Sequence, residues 1–282
     1  MVAMARRRRE PPARGGFTAV LKRAVKSQGL LYVHAAALRS QRPLTNVLHA
    51  RRNRLLARVA TRTLVSYDRL VNAYDLAAQI ERDGREGAFV ECGVWRGGVA
   101  ALMALVARDA SGRRCTHLFD SFEGLPRPTV QDAKDYREAD GTEAREAPVL
   151  EPIGCYVATA DDVSDFLFTR LRLDPDRVLI HKGWFQHTLP AARHRVGPVA
   201  LLRIDADWYA SVKVCLDQMY DNVIEGGYVI LDDYGQYPGC RLAFDQFCRE
   251  ARLDVTLRKI DHTGVWFEKP RTVAATSVRT GA

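Results

Sequence analysis

The sequence predicts an α/β fold built on a seven-stranded, mostly parallel sheet. Five short apolar segments alternate with helical patterns between residues 88 and 252. Continuous Val, Ile and Leu runs are typical of parallel strands that are buried on both faces. Two further short strands, 254–260 and 264–268, flank a turn at residues 261–263 and predict an antiparallel hairpin. Together these patterns indicate a Rossmann-like, doubly wound sheet.

The chain before the first strand is predicted to be helical. Helical patterns cover residues 17–38 and 44–60, which Pro43 separates. A third helix, 66–82, ends at the helix-breaking pair Asp83-Gly84. These segments predict a helical N-terminal extension that leads into the sheet.

Strands and helices then alternate in a regular order. The predicted parallel strands are the apolar runs 88–93, 117–121, 177–182, 199–205 and 228–232. The helices predicted between and after them are 98–108, 161–172, 186–195, 208–223 and 239–252. The long polar stretch 123–152 interrupts this alternation, and connections of that length are typically functional lids or disordered segments. We predict a mobile lid there, the alternative being that Asp132, Asp135 and Glu138 are solvated surface charge.

Composition indicates a soluble intracellular protein. The 282 residues are 47% hydrophobic and 27% charged, and no run of 18 uncharged apolar residues is present. The basic N-terminus has no apolar segment behind it, so it does not resemble a secretory signal. The six cysteines show no CxxC or metal-finger spacing, which favours reduced thiols in the cytoplasm. We divide the chain into an extension (1–60), a catalytic domain (61–269) and a disordered tail (270–282).

Positive charge is concentrated at the N-terminus. Residues 1–62 hold 15 Lys and Arg and one acidic residue, whereas the remaining 220 residues hold 27 basic and 33 acidic. A solvated tail explains this, but an arm that touches the anionic inner membrane face or an acidic partner also does. Residues 17–25 have the spacing of a basic amphipathic helix, so homo-oligomerisation through that helix is a further alternative. No specific nucleic-acid binding is predicted.

Acidic side chains follow two of the predicted strands. Asp205 ends one apolar run, and Asp232 and Asp233 end the next. Ligands of open α/β sheets bind at the carboxyl ends of the strands, where these side chains would meet. Carboxylate oxygens suit a hard cation such as Mg²⁺. The alternative is that one Asp caps the following helix and the others are solvated.

A glycine turn after the first strand predicts a nucleoside site. Glu91, Gly93 and the pair Gly97-Gly98 form E-x-G-x-x-x-G-G, which differs from the G-x-G-x-x-G spacing that binds a pyrophosphate. An acidic residue two positions before the first glycine suits a cationic amine, and we expect Glu91 to hold the ammonium of S-adenosylmethionine through water or the loop backbone. The alternative is an ordinary turn between strand and helix with a buried acid at its rim. Asp120 ends the second strand, where a carboxylate can accept both ribose hydroxyls. Trp184 is expected either to stack on adenine or to belong to the core.

Five motifs in this order resemble the macrocin O-methyltransferase family. They are residues 89–98, 119–126, 182–190, 203–211 and 226–235. The resemblance covers about residues 61–269, and family members are class I enzymes that methylate sugar hydroxyls of macrolides and related natural products. It implies the class I methyltransferase fold with its terminal hairpin, S-adenosylmethionine as methyl donor, Mg²⁺ as second cofactor, and a small-molecule or glycan acceptor.

The resemblance assigns roles to individual residues. The donor site is predicted to comprise Glu91, Cys92, Gly93, Val94, Trp95, Asp120, Ser121, Thr159, Gly183 and Trp184. The metal ligands of the family fall on Asp205, Asp232 and Asp233. Asp207 is a rival ligand, although its side chain should point away from that of Asp205 if the segment has already turned into the helix.

The general base is less defined by the resemblance. Some family members are thought to use a histidine from the insertion after the second strand, and this chain has none between His117 and His181. We expect Asp205 to bind Mg²⁺ and take the proton, or His187 or His181 to substitute for the missing histidine.

Three other functions compete with sugar O-methylation. The same chemistry on a catechol or another phenol would use the metal in the same way. An NAD-linked oxidoreductase is disfavoured by the spacing of the glycine turn and by the terminal hairpin. A non-catalytic protein that docks through its basic arm is disfavoured by the intact set Asp205, Asp232 and Asp233.

Overall fold

The computed structural model describes residues 49–110, 112–132 and 146–271. Its strands are β1 (Ala88–Cys92), β2 (Thr116–Asp120), β3 (Pro126–Arg127), β4 (Val149–Pro152), β5 (Val178–Lys182), β6 (Val199–Ile204), β7 (Val223–Leu231), β8 (Arg258–Lys259) and β9 (Val265–Glu268). Its α-helices are α1 (Ala50–Val59), α2 (Tyr67–Arg82), α3 (Gly98–Ala110), α4 (Ala160–Ser164), α5 (Phe185–Val196), α6 (Tyr209–Met219) and α7 (Pro238–Glu250).

Seven strands form one sheet in the order β5-β2-β1-β6-β7-β9-β8. The first five in this order pair in parallel, and β9 pairs antiparallel with both β7 and β8. The predicted doubly wound sheet with a terminal antiparallel hairpin is therefore confirmed. The order brings the carboxyl ends of β1, β2, β6 and β7 to one edge, because these strands are neighbours and point the same way.

Helices cover both faces of the sheet, as the apolar strands require. Within β1, Phe89 packs with α1, α2 and α3, while the next residue, Val90, packs with α5, α6 and α7. Successive side chains of a strand point to opposite faces, so a run in which every residue is buried needs a helical layer on each side. No helix of the described residues is both long and apolar enough to cross a membrane.

Three elements differ from the predicted bounds. The helix predicted over 161–172 is α-helical only in α4 and continues as a π-helix over Asp165–Arg170. The strand predicted over 254–260 is reduced to β8, because only Arg258 and Lys259 find partners on the short strand β9. Strand β7 begins earlier than predicted, at Val223, since that residue pairs with Val199 of β6.

Helix α1 belongs to the domain, although the sequence placed it in the extension. Leu55, Leu56 and Val59 are buried in the same core as α2 and α3. The domain therefore begins before residue 61. Residues 1–48 and 272–282 lie outside the described residues, and so do the predictions made for the basic arm, the helix over 17–38 and the tail.

The predicted lid begins and ends in a short antiparallel ribbon. Pro126 of β3 pairs with Pro152 of β4, and the intervening residues 133–145, including Asp135 and Glu138, lie outside the described residues. Asp132 is 1% exposed. Its carboxylate accepts hydrogen bonds from the Thr129 hydroxyl at 2.7 Å and the Tyr209 amide at 2.8 Å. The alternative of a solvated surface charge is therefore wrong for Asp132, which anchors this segment to α6.

Candidate active site

A cavity of about 290 Å³ lies at the carboxyl edge of the sheet. One half is lined by Glu91, Gly93, Val94, Trp95, Asp120, Ser121 and Trp184, and the other by Tyr156, Asp205, Asp207, Asp232, Asp233 and Gln236. The two clusters that the sequence predicted separately, a nucleoside site and a carboxylate site, thus share one space.

The glycine turn brings β1 and β6 into direct contact. Gly93 has φ +87°, and a Cβ atom at this position would overlap the backbone carbonyl oxygen of Asp205. Only glycine tolerates both the backbone conformation and the close approach. Gly93 therefore determines the distance between the nucleoside half of the cavity and the first aspartate of the acidic half.

Asp120 stabilises this turn. Its Oδ2 accepts hydrogen bonds from the amides of Val94 at 2.7 Å and Trp95 at 2.9 Å, and its Oδ1 accepts one from the Phe122 amide at 2.7 Å. Burial raises the pKa of Asp120, while these three amides act in the opposite direction. The sequence predicted only a ribose acceptor here. The structure adds a second role, since the carboxylate holds the turn against the end of β2.

Glu91 is a buried carboxylate with one unsatisfied oxygen. Its Oε1 pairs with Arg203 of β6, and its Oε2 has no hydrogen-bond partner among the described residues. Burial raises the pKa of Glu91, and the Arg203 guanidinium opposes that shift. An unpaired oxygen in this wall fits a ligand with a hydrogen-bond donor or a positive charge, such as an ammonium group.

Three aspartates converge in the acidic half. Carboxylate oxygens of Asp205, Asp207 and Asp233 lie within 4.8 Å of one another. The condition under which Asp207 would point away is not met, because α6 begins only at Tyr209 and Asp207 has a φ of +53°. The Asp207 amide donates to Asp233 Oδ2 at 3.3 Å. Burial, together with the neighbouring carboxylates, raises the pKa values of Asp207 and Asp233 well above the ordinary range.

Asp232 is engaged by two arginines. Its Oδ1 pairs with Arg203 at 2.5 Å, and its Oδ2 pairs with Arg69 of α2. Arg69 also contacts Asp261 at 3.1 Å. The structure therefore groups Asp207 with Asp205 and Asp233, and leaves the predicted ligand Asp232 neutralised by guanidinium groups. The hard oxygen donors of this cluster fit a divalent cation.

Four predicted site residues lie outside the cavity wall. Cys92 is buried within β1, and Thr159 caps α4 by accepting the Asp162 amide. Gly183 donates its amide to the Asp120 carbonyl at 2.9 Å. His187 lies on the exposed side of α5 and is not among the lining residues that the structure describes. Its predicted role in proton transfer therefore has no support from the geometry.

His181 is also not placed to act on a ligand in the cavity. Its ring stacks on Phe119 with centroids 4.2 Å apart, and its Nε2 lies 3.0 Å from Nδ1 of His117. Burial lowers the pKa values of both histidines. This pair belongs to the core between β2 and β5.

Sequence reasoning missed the arginines that organise the site. Arg62 lines the cavity, donates to the Arg96 carbonyl of the glycine turn at 3.1 Å, and pairs with Asp162 at 2.6 Å. Arg69 and Arg203 bind the carboxylates described above. For Arg203 a signal was present, because a lone charged residue inside a strand that is otherwise apolar must find a buried partner.

Comparison with known proteins gives concordant matches. A family model described as macrocin-O-methyltransferase (TylF) matches residues 22–269, so its match begins inside the predicted extension. The chain is 32% identical over 212 residues to demethyldecarbamoylnovobiocin O-methyltransferase from Streptomyces niveus. The aligned region covers 74% of this chain and 76% of that protein.

A second relative is also an O-methyltransferase. It is the 8-demethyl-8-(2,3-dimethoxy-alpha-L-rhamnosyl)-tetracenomycin-C 4'-O-methyltransferase from Streptomyces olivaceus, 33% identical over 73% of this chain and 74% of that protein. Among solved structures, the O-methyltransferase NovP superposes with a TM-score of 0.67 at 26% identity, covering 88% of this chain and 99% of that chain.

Proposed function

The chain belongs to the macrocin-O-methyltransferase family, and from this premise we propose that it transfers a methyl group from S-adenosylmethionine to a sugar hydroxyl of a glycosylated natural product. Family membership confirms the resemblance stated from the sequence motifs. The protein is an S-adenosylmethionine-dependent O-methyltransferase. The acceptor, the cation and the roles of individual residues are the proposed parts.

The observation that carries this proposal is the shared cavity. Its nucleoside half and its acidic half meet where Gly93 contacts Asp205. A methyl donor in one half and an acceptor hydroxyl in the other would therefore face each other without an intervening wall. Proximity and orientation are the main requirements of an in-line methyl transfer, because the donor is already activated.

The charges in the cavity favour an acceptor without phosphate groups. Three arginines line it, and each already pairs with a carboxylate: Arg62 with Asp162, Arg69 with Asp232, and Arg203 with Glu91. Among the described lining residues, no lysine or histidine is present and no arginine is left to neutralise a phosphate. A neutral glycoside fits this surface better than a sugar nucleotide.

The donor site is proposed to be formed by the glycine turn. Bound S-adenosylmethionine supplies a methyl group on a positively charged sulfur. Glu91 Oε2 would accept the ammonium of its amino-acid part. Asp120 would accept one ribose hydroxyl at Oδ1, with the lone pair that its three backbone amides leave free. Trp184, which lines the same half of the cavity, would flank the adenine ring.

A divalent cation such as Mg²⁺ is proposed to bind in the acidic half. Asp205 and Asp233 are its proposed central ligands, and Asp207 supplies the third oxygen in the arrangement described above. When bound, a divalent cation lowers the pKa of a coordinated hydroxyl and fixes its position. Asp232 would hold the cluster in place through Arg203 and Arg69.

Asp205 is proposed as the general base. It lies between the glycine turn and the other carboxylates, and its Oδ2 contacts Arg203 at 3.0 Å. The acceptor oxygen forms the new bond to the methyl carbon as the carbon–sulfur bond breaks. Asp205 takes the hydroxyl proton, and the products are a methyl ether and S-adenosylhomocysteine.

The first experiment tests the donor and the acceptor class together. Methyl transfer from S-adenosylmethionine would be measured with Mg²⁺ on methyl α-L-rhamnopyranoside, 4-nitrophenyl α-L-rhamnopyranoside and catechol, with S-adenosylhomocysteine binding followed by calorimetry. We expect binding of S-adenosylhomocysteine and turnover of a rhamnoside. Turnover of catechol alone would establish the phenol alternative, and absence of nucleoside binding would contradict the donor site.

The second experiment separates the two possible ligand sets. Mg²⁺ binding would be measured by calorimetry on the wild type and on the isosteric variants Asp207→Asn and Asp232→Asn. We expect the loss of one carboxylate ligand in Asp207→Asn to weaken binding by roughly tenfold or more. If Asp232→Asn abolishes Mg²⁺ binding and Asp207→Asn does not, the ligand set predicted from the sequence is correct. In that case Arg69 must release Asp232 when the cation binds.

A further inference from the structure

Tyr156 is an aromatic side chain in the wall of the acidic half. It follows the β3–β4 ribbon, lines the cavity and is 47% exposed. The next residue, Val157, is also exposed. An exposed aromatic ring that belongs to a cavity wall offers an apolar surface to whatever enters that cavity.

Tyr156 is held in place by a series of contacts from α7 and α6. Its hydroxyl is hydrogen-bonded to that of Tyr237, the residue before α7. The Tyr237 ring packs edge-on against Trp208 with centroids 5.2 Å apart, and Trp208 Nε1 donates to the Pro126 carbonyl at 3.1 Å. The Tyr156 hydroxyl is thus held by Tyr237, whose own ring packs against Trp208.

The backbone of Tyr156 adopts a conformation that tyrosine rarely takes. Its φ is +54°, and Trp95 and Asp207, which also line the cavity, have φ values of +46° and +53°. Such residues cost about 1 kcal/mol or more each, persist only where their surroundings determine them, and concentrate at ligand sites. Three of them around one cavity indicate that these side chains are positioned for a ligand.

Tyr156 lies close to the proposed reacting centre, because it lines the same cavity as Asp207 and Asp233. A ligand that presented a hydroxyl to the aspartates would therefore have the body of its ring beside Tyr156. Sugar rings carry faces of C–H bonds that pack on aromatic rings, whereas their hydroxyls bind carboxylates.

We propose that Tyr156 is the acceptor-binding residue on which the sugar ring packs, and that Tyr237 is the residue that positions it. This inference depends on the proposed sugar acceptor and adds the surface that recognises it.

Steady-state kinetics on 4-nitrophenyl α-L-rhamnopyranoside test the proposal. Tyr156→Ala removes the ring, so KM should rise about tenfold with kcat within about twofold, as expected for a lost packing contact of this kind. Tyr156→Phe keeps the ring and should stay within about threefold of the wild type, and Tyr237→Phe should raise KM by roughly threefold. S-adenosylhomocysteine affinity should be unchanged in all three variants.

A matched control is Leu242→Ala. Leu242 is a 40% exposed apolar residue on α7 that does not belong to the cavity wall, so its removal should leave KM unchanged. Wild-type KM in Tyr156→Ala would overturn the proposal. Equal impairment of the Ala and Phe variants with lost S-adenosylhomocysteine affinity would also overturn it, since that pattern indicates a structural role.

The same experiment separates this proposal from the proposed function. If the wild type binds S-adenosylhomocysteine but methylates neither of the two rhamnosides, the sugar acceptor is contradicted, and so is the role proposed for Tyr156. If the wild type methylates a rhamnoside and the Tyr156 variants have the same KM as the wild type, the acceptor class stands and the inference about Tyr156 is wrong.

Discussion

Arg203 and Asp232 form an ion pair between neighbouring strands in which each side chain is only 2% exposed. The same guanidinium binds Glu91 on the other neighbouring strand and contacts Asp205. Arg203 thus links the nucleoside half of the cavity to the acidic half through the interior of the sheet. A buried charge that loses its partner costs far more than the pair contributes.

Replacing Arg203 should therefore destabilise the fold. In Arg203→Met the carboxylates of Glu91 and Asp232 remain buried without this partner, and we expect the free energy of unfolding to fall by ~3–5 kcal/mol. Urea denaturation at pH 7 measures this change. Arg58→Met, an exposed arginine in the last turn of α1, serves as control and should change it by less than about 0.5 kcal/mol. A similar small change in Arg203→Met would contradict the structural role assigned to the ion pair.

Asp120→Asn tests the support of the glycine turn. An amide cannot accept hydrogen bonds on both sides, so at least one of the backbone amides of Val94, Trp95 and Phe122 loses its partner. Such a loss costs ~1–3 kcal/mol, and we expect S-adenosylhomocysteine affinity to fall by about ten- to hundredfold. Calorimetry measures the affinity, with Glu123→Gln, an exposed neighbour, as control. Unchanged affinity would mean that the turn holds without Asp120.

Two glycine variants separate backbone strain from lack of space. Gly93 and Gly84 have φ values of +87° and +63°, but only at Gly93 would a Cβ atom overlap another backbone segment. Gly84→Ala should cost ~1 kcal/mol through its backbone conformation alone. Gly93→Ala should cost ~3 kcal/mol or more and abolish nucleoside binding, because Asp205 must move. Thermal unfolding measures the change in stability, and calorimetry measures nucleoside binding. Equal effects of the two substitutions would contradict the close approach of β1 and β6.

The stability of the fold should decline in mild acid because of His117. Burial and, secondarily, His181 lower the pKa of His117 from 6.5 to about 4. Between these values the unfolded chain binds a proton that the folded chain does not, so the free energy of unfolding falls as the pH drops from 6.5 to 4. The loss from this residue approaches ~3 kcal/mol. Urea midpoints across this range should depend less on pH in His117→Gln, and an unchanged dependence would contradict the assignment.

The course of the sheet was predictable because burial leaves a local pattern. Strands covered on both faces are mostly apolar runs, and residues 88–92 and 199–204 show this pattern with one charged residue each, Glu91 and Arg203. The ends of such runs could be located for the same reason, and Gly93, Asp120 and Asp205 were identified there. A glycine that follows a strand and a carboxylate that ends one are properties of a few consecutive residues.

The pairing of charges was not predictable in this way. Asp232 was expected to bind a cation, but Arg69, which is 163 positions away in the sequence, neutralises it together with Arg203. Asp207 was a rival ligand that would face away only if the helix had already begun, and its backbone conformation before the helix brings it to Asp205 and Asp233. No sequence motif identifies Tyr156 or Arg62 as a residue of the site, since each belongs to it only through its contacts in the folded chain.

The sequence by itself therefore determined the family, the order of the elements and the edge of the sheet at which the site lies. These depend on burial patterns and short motifs, which a stretch of five to ten residues contains in full. Only the tertiary structure decided which carboxylates converge in one cluster and which one is paired with two arginines. Electrostatic and packing interactions act through space, and the residues that compete for one another here come from elements far apart in the chain.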